Sequence, residues 1–132
     1  MKPIVFDASA IMAWFQGKSG SEKVEEWLDL GEQGKRGLLM SVVNWGEVYY
    51  ATWVRSGEQA ARRAEVALAR LPIEIVTADA ELILVAARLK ARHGLPYADG
   101  FAAGLAIVRD ADLATADKHF ERVRHLVSIR ML

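Results

Sequence analysis

The chain has 132 residues, 52% of them hydrophobic, and its 17 basic and 17 acidic side chains leave it formally neutral, so one domain spanning 1–132 with a buried core is expected. It has no cysteine, which excludes disulfides, thiolate nucleophiles, zinc fingers and iron–sulfur clusters and suits a reducing compartment. MKPIVFDAS is too short and too early interrupted by Asp7 to be a signal peptide, and no run reaches the ~18 apolar residues of a membrane helix; a soluble, cytoplasmic protein is the expectation.

PIVFD is apolar and β-branched, too brief for a helix, and reads as a buried strand ending at Asp7. ASAIMAWF follows at helical spacing, with Ile11, Met12 and Phe15 on one side. SEKVEEWLDLGEQG sets Val24, Trp27 and Leu28 on one face and acids on the other, an amphipathic helix, and Gly31, Gly34 and Gly37 break the chain around its end. LLMS is a second strand, and VVNWGEVYYATWVR a helix with Ser41 as its N-cap. EQAARRAEVALARL has strong helix propensity; Pro72 stops it before the strand IEIV. Thr77 or Asp79 caps the helix AELILVAARLKARH, which ends at Gly94. Pro96 opens the next helix, whose small residues around Asp99 predict closely packed backbones. ADLAT is a fourth strand, ADKHFERV a short helix and HLVSI a last strand. Strands alternating with helices predict an α/β fold, a parallel sheet between helices.

In open α/β sheets the ligand site lies at the carboxyl ends of the strands. Asp7 ends the first strand and Asp117 lies just beyond the fourth; Glu47 is within two turns of the start of the helix after the second strand, and Asp99 is in the first turn of the helix before the fourth. Each stands among apolar or small neighbours, whereas Glu22, Glu25, Glu26, Asp29 and Glu32 form a solvated patch. Four carboxylates converging on one cleft cannot all ionise without a cation. Oxygen donors with no Cys and no paired His point to Mg²⁺ or Mn²⁺. Each acid also has a structural alternative: Asp7 and Asp117 as helix caps, Glu47 as a surface residue, Asp99 as a first-turn acid favoured by the helix dipole.

The ordered set VFDASAIMAWF, SVVNWGEV, LPYADGFAAGLA and DADLATADKHF resembles the PIN-domain nucleases over essentially the whole chain, and within them the small toxins of VapBC-type toxin–antitoxin pairs. The resemblance implies a three-layer α/β/α domain with a central, mainly parallel sheet of four to five strands. It further implies Mg²⁺- or Mn²⁺-dependent endoribonuclease activity, a homodimer and inhibition by a cognate antitoxin. Carried over by position, Asp7, Glu47, Asp99 and Asp117 are the acidic quartet, both catalytic and metal-holding. Ser9 and Thr115 match small hydroxyls that flank it, with local backbone bonding as their alternative; Asn44, one turn before Glu47, is placed to reach the same cleft or the substrate, with a capping role near Ser41 as its alternative. RNA hydrolysis by a metal-activated water would leave 5′-phosphate and 3′-hydroxyl ends.

A metal-free ribonuclease that uses the 2′-hydroxyl gives a cyclic phosphate, usually with His as acid and base, and His93, His119 and His125 read instead as a helix-end residue and two surface residues. Trp14, Trp45, Tyr49, Tyr50 and Trp53 are candidates for stacking on single-stranded RNA, but helical spacing makes most of them packing residues, with Tyr49 and Trp53 buried together. The basic clusters Arg55, Arg62, Arg63 and Arg70, and Lys118, Arg122 and Arg124, read as solvated helix faces. A haloacid-dehalogenase-type phosphohydrolase requires an Asp where Ser9 stands, and a receiver domain finds only Asp79 as a loose phosphoacceptor. A non-catalytic interaction module is the rival from another class.

Overall fold

The structure is a computed structural model that describes residues 1–132. Strands β1 (Ile4–Phe6), β2 (Leu38–Ser41), β3 (Glu74–Val76), β4 (Asp112–Thr115) and β5 (Ile129–Met131) form one sheet in the order β3-β2-β1-β4-β5, and every neighbouring pair is parallel. The three inner strands are buried along their whole length. A parallel strand covered by helices on both faces cannot alternate polar and apolar residues, which is why IVF and LLM are continuously hydrophobic. Only the edge strands β3 and β5 carry exposed positions.

The helices are α1 (Ala8–Phe15), α2 (Ser21–Glu32), α3 (Val42–Ser56), α4 (Glu58–Ala69), α5 (Ala80–His93) and α6 (Tyr97–Val108), followed by a 3₁₀ helix over Lys118–Val123. Two apolar cores separate the layers. Ile4, Phe6, Leu38, Met40 and Ala114 face Ile11, Val24, Trp27, Leu28, Val48 and Leu68 from α1 to α4. Val5, Leu39 and Leu113, the alternate positions on the same strands, face Leu82, Ala86, Leu89, Phe101, Leu105 and Phe120 from α5, α6 and the 3₁₀ helix. This is a three-layer α/β/α fold.

Local signals explain the boundaries. Ser41 caps α3 by accepting from the Val43 amide, and Asp79 rather than Thr77 caps α5 through the Leu82 amide. Gly94 ends α5 at φ +70°, where a side chain would be strained. Gly100 lets α6 lie against α5: a Cβ there would stand 2.9 Å from the Ala86 carbonyl oxygen.

Some expectations are corrected. Gly31 lies inside α2 instead of breaking it, and a Cβ there would overlap the Leu38 side chain, so the glycine makes room for β2. The last strand starts at Ile129, not at His125. Residues 124–127 continue the coiling of the 3₁₀ helix, with Leu126 and Val127 amides bonded to the Val123 carbonyl, and register with β4 begins only at Leu113–Ile129. Tyr49 and Trp53 do meet edge to face, ring centroids 6.0 Å apart, but Trp53 is exposed rather than buried with its partner.

At the amino ends of the strands, Asp112 is a buried acid outside the four singled out in the sequence. It is held by Arg36 at 3.0 Å and Arg130 at 3.3 Å, and Arg36 also donates to the Lys2 carbonyl, so the cluster ties the chain start to β4 and β5. No helix is long and apolar enough to cross a membrane.

Candidate functional site

Chain order reverses direction at β1: β2 and β3 lie to one side of it, β4 and β5 to the other. The loops leaving β1 and β4 therefore diverge and leave a crevice at their carboxyl ends, where ligands bind in such sheets. Asp7 follows β1 directly and Thr115 ends β4, so the crevice begins with these two side chains.

Asp7 is 4% exposed and accepts four hydrogen bonds: from Thr115 Oγ1 at 2.6 Å, from Ser9 Oγ to both oxygens at 2.8 and 2.9 Å, and from the Ala10 amide at 2.9 Å. It is thus an N-cap of α1 as well as a site residue; the two roles do not compete. Burial pushes its pKa up to about 7, against the pull of the Thr115, Ala10 and Ser9 donors and with help from the charge of Asp99. Ser9 also accepts from the Ala116 amide, and Thr115 Oγ1 from the Asp117 amide, so the two hydroxyls lace the β1 and β4 loops together.

Asp99 makes no capping bond; Pro96 is the N-cap of α6 and offers none. Burial, followed by repulsion from Asp117 and Glu47, raises its pKa to about 6, partly offset by the attraction of His119. Its Oδ2 is buried with no hydrogen-bond donor. Glu47 accepts from Asn44 Nδ2 at 2.7 Å, and the same amide donates to the Ala98 carbonyl at 3.1 Å, which ties α3 to the first turn of α6. Asn44 is 1% exposed, and its own Oδ1 has no partner. Asp117 caps the 3₁₀ helix by accepting from the His119 amide at 2.9 Å.

Asp7, Glu47 and Asp117 all lie within Coulomb reach of Asp99, while of these only Asp117 has, together with His119, a donor atom within 4.8 Å of one on Asp99; Ser9, Thr115 and Asn44 each bond to one of the acids or to its loop. The residue not foreseen is His119. Its side chain is half exposed, as a surface residue's would be, yet Nδ1 lies 3.1 Å from Asp117 Oδ1 and 3.5 Å from Asp99 Oδ2. The sequence signal was its place two residues after Asp117, since an Asp cap that captures the amide at that distance holds the following side chain close. His93 and His125 pair with each other instead, edge to face. Asp79, the loose phosphoacceptor candidate, is occupied as the cap of α5.

The residues fit a hard divalent cation. Four carboxylates supply oxygen donors, two of them are driven towards protonation by burial and mutual repulsion, and the Asp99 oxygen inside the cluster lacks any donor. A cation satisfies all three conditions at once.

A family model described as PIN domain matches residues 4–126. Among curated proteins no match is found. The fold is similar to that of VapBC from Salmonella typhimurium, solved bound to DNA (TM-score 0.74, 18% identity, 98% of each chain covered). It is similar also to VapBC2 from Rickettsia felis, bound to a promoter DNA fragment (TM-score 0.74, 15% identity, 96% of each chain). A third similar structure is VapC20 from Mycobacterium tuberculosis, described as a toxin that cleaves the sarcin-ricin loop (TM-score 0.68, 15% identity, 92% of this chain and 94% of that one). With the parallel sheet, the crevice at its switch point and the match over nearly its whole length, the chain belongs to the PIN domain family.

Proposed function

We propose that this protein is a metal-dependent endoribonuclease, the toxin of a VapBC-type pair. The observation that carries the reading is the buried Asp99 oxygen with no donor, set among Glu47, Asp117 and Asp7. A group kept in that state costs stability, and a cation-dependent task accounts for keeping it.

Asp7, Glu47, Asp99 and Asp117 would hold Mg²⁺ or Mn²⁺, which supplies activation of water and charge compensation for the attacked phosphodiester. The chain's own contribution is preorganisation. Thr115, Ser9 and the Ala10 amide lock Asp7 in one orientation; Asn44 aims Glu47; the His119 amide fixes Asp117. Carboxylates held this way need no reorganisation when substrate arrives. Attack by a metal-activated water rather than by the 2′-hydroxyl leaves 5′-phosphate and 3′-hydroxyl products as the expectation. An antitoxin as inhibitor belongs to the same reading and is supported by the likeness to VapBC structures; a homodimer and a cytoplasmic setting are further parts of the proposal.

The test is incubation of antitoxin-free protein with total RNA and Mg²⁺ or Mn²⁺, beside samples with EDTA and a folded Asp99→Asn variant. Discrete 5′-phosphorylated fragments that vanish in both controls support the proposal. Cleavage that persists in EDTA overturns the metal dependence. Saturable metal binding without cleavage of any RNA favours the non-catalytic module.

A further inference from the structure

We infer that His119 is a nitrogen ligand of the cation at this site, giving a mixed oxygen–nitrogen donor set that favours Mn²⁺ over Mg²⁺. The inference rests on the metal-dependent reading above and adds to the four acids a residue of a different chemical kind.

Geometry is the first ground. His119 Nδ1 is 3.1 Å from Asp117 Oδ1 and 3.5 Å from Asp99 Oδ2, and one donor atom from each of the three residues lies within 4.8 Å of the others. Two ligands at right angles on an ion with bonds of 2.0–2.1 Å stand roughly 3 Å apart. The imidazole nitrogen is therefore already at the spacing of a shared coordination sphere. Its contact with Asp99, at 3.5 Å, is too long for a well-formed hydrogen bond, and that oxygen is buried without a close donor.

Local structure is the second. The His119 backbone is clamped, because its amide donates to Asp117 Oδ1 and opens the 3₁₀ helix. The side chain thus starts from a fixed point beside one carboxylate and reaches a second that belongs to α6. A separate polar atom at the site is also without a donor: Asn44 Oδ1, in a residue 1% exposed whose amide nitrogen holds Glu47 in the same cluster.

Donor chemistry gives the consequence. Mg²⁺ takes oxygen ligands and keeps its waters, whereas imidazole raises affinity for transition ions, in the order Mn²⁺ < Fe²⁺ < Co²⁺ < Ni²⁺. A site of carboxylates alone would separate Mn²⁺ from Mg²⁺ less.

The experiment uses the full chain, wild type, His119→Ala and, as a control away from the cluster, His125→Ala. Mn²⁺ and Mg²⁺ affinities are measured by calorimetry, and bound Mn²⁺ is examined by pulsed EPR with and without ¹⁵N-histidine. Expected are a histidine nitrogen coupling in wild type and His125→Ala that is lost in His119→Ala, and Mn²⁺ binding weakened about tenfold or more while Mg²⁺ binding changes far less. Saturable Mn²⁺ binding without nitrogen coupling, or equal weakening of both ions in His119→Ala, overturns the inference and leaves the acidic site standing. Failure of wild type to bind either ion overturns both.

Discussion

Replacing Asp99 by Asn tests whether the site is strained when empty of cation. The Asp99 pKa is raised from 3.8 to about 6 by burial and by the charges of Asp117 and Glu47. A carboxyl raised in the folded state contributes its full stability below about pH 4, and that contribution is lost as pH rises through about 6. Two pH units at about 1.4 kcal/mol each make the ionised Asp99 unfavourable by about 3 kcal/mol at pH 8. Asn has nearly the same shape, and no capping bond is lost because Asp99 makes none. Part of the gain is offset by burying an amide, so the variant should be more stable by about 1–2 kcal/mol at pH 8, a rise of roughly 3–8 °C in Tm for a chain of this size. Thermal unfolding followed by circular dichroism in EDTA, from pH 4 to 8, would show the two proteins converging near pH 4, separating between about pH 4 and 6 and running parallel above that. Saturating Mn²⁺ should reverse the order, since an ion at a hundred times its Kd stabilises wild type by about 2.7 kcal/mol and the variant much less. An Asp99→Asn protein that is less stable than wild type at pH 8 in EDTA would refute the reasoning and make Asp99 a structural acid.

Thr115→Val keeps the shape but removes the donor to Asp7 and the acceptor for the Asp117 amide; denaturant titration should show a loss of about 1–3 kcal/mol, and the Asp7 pKa, read by carboxyl NMR, should rise above about 7. Glu47→Gln can still accept from Asn44, so its melting temperature in EDTA should not fall, while calorimetric Mn²⁺ affinity drops about tenfold or more and RNA cleavage is lost. Asp112→Ala, at the opposite end of the strands, leaves Arg36 buried with no carboxylate. It should cost about 3–5 kcal/mol in chemical denaturation, yet leave Mn²⁺ affinity of the folded protein unchanged.

The legible parts of this molecule were those governed by neighbours in sequence. IVF, LLMS and ADLAT are apolar runs too short to be helices, and each contains or forms a strand. Ser41, Asp79, Gly94 and Pro96 mark helix ends through bonds or backbone angles that involve residues at most a few places away. Asp7 and Asp117 follow strand ends directly, and Glu47 and Asp99 lie near the starts of the helices after β2 and before β4; the alternating order of elements decides which of these ends share an edge. Where the reading failed, a distant partner was responsible. Gly31 is shaped by Leu38 across a layer, β5 begins where β4 offers a register, and Trp53 meets Tyr49 yet stays exposed on α3.

By itself, then, the sequence determined the elements, their α/β order and the acids that gather at the carboxyl edge, since hydrophobic period, capping and turn chemistry act over a few residues. The tertiary structure alone decided the electrostatics. Thr115 donates to Asp7 across the gap between β1 and β4, Asn44 bridges α3 to α6, and His119 stands between Asp99 and Asp117. Burial drives the Asp7 and Asp99 pKa values up, whereas Asp112, as buried as Asp7, is paired with two arginines. Desolvation and Coulomb energy depend on everything within several ångströms of a charge, and that neighbourhood exists only once distant segments have packed together.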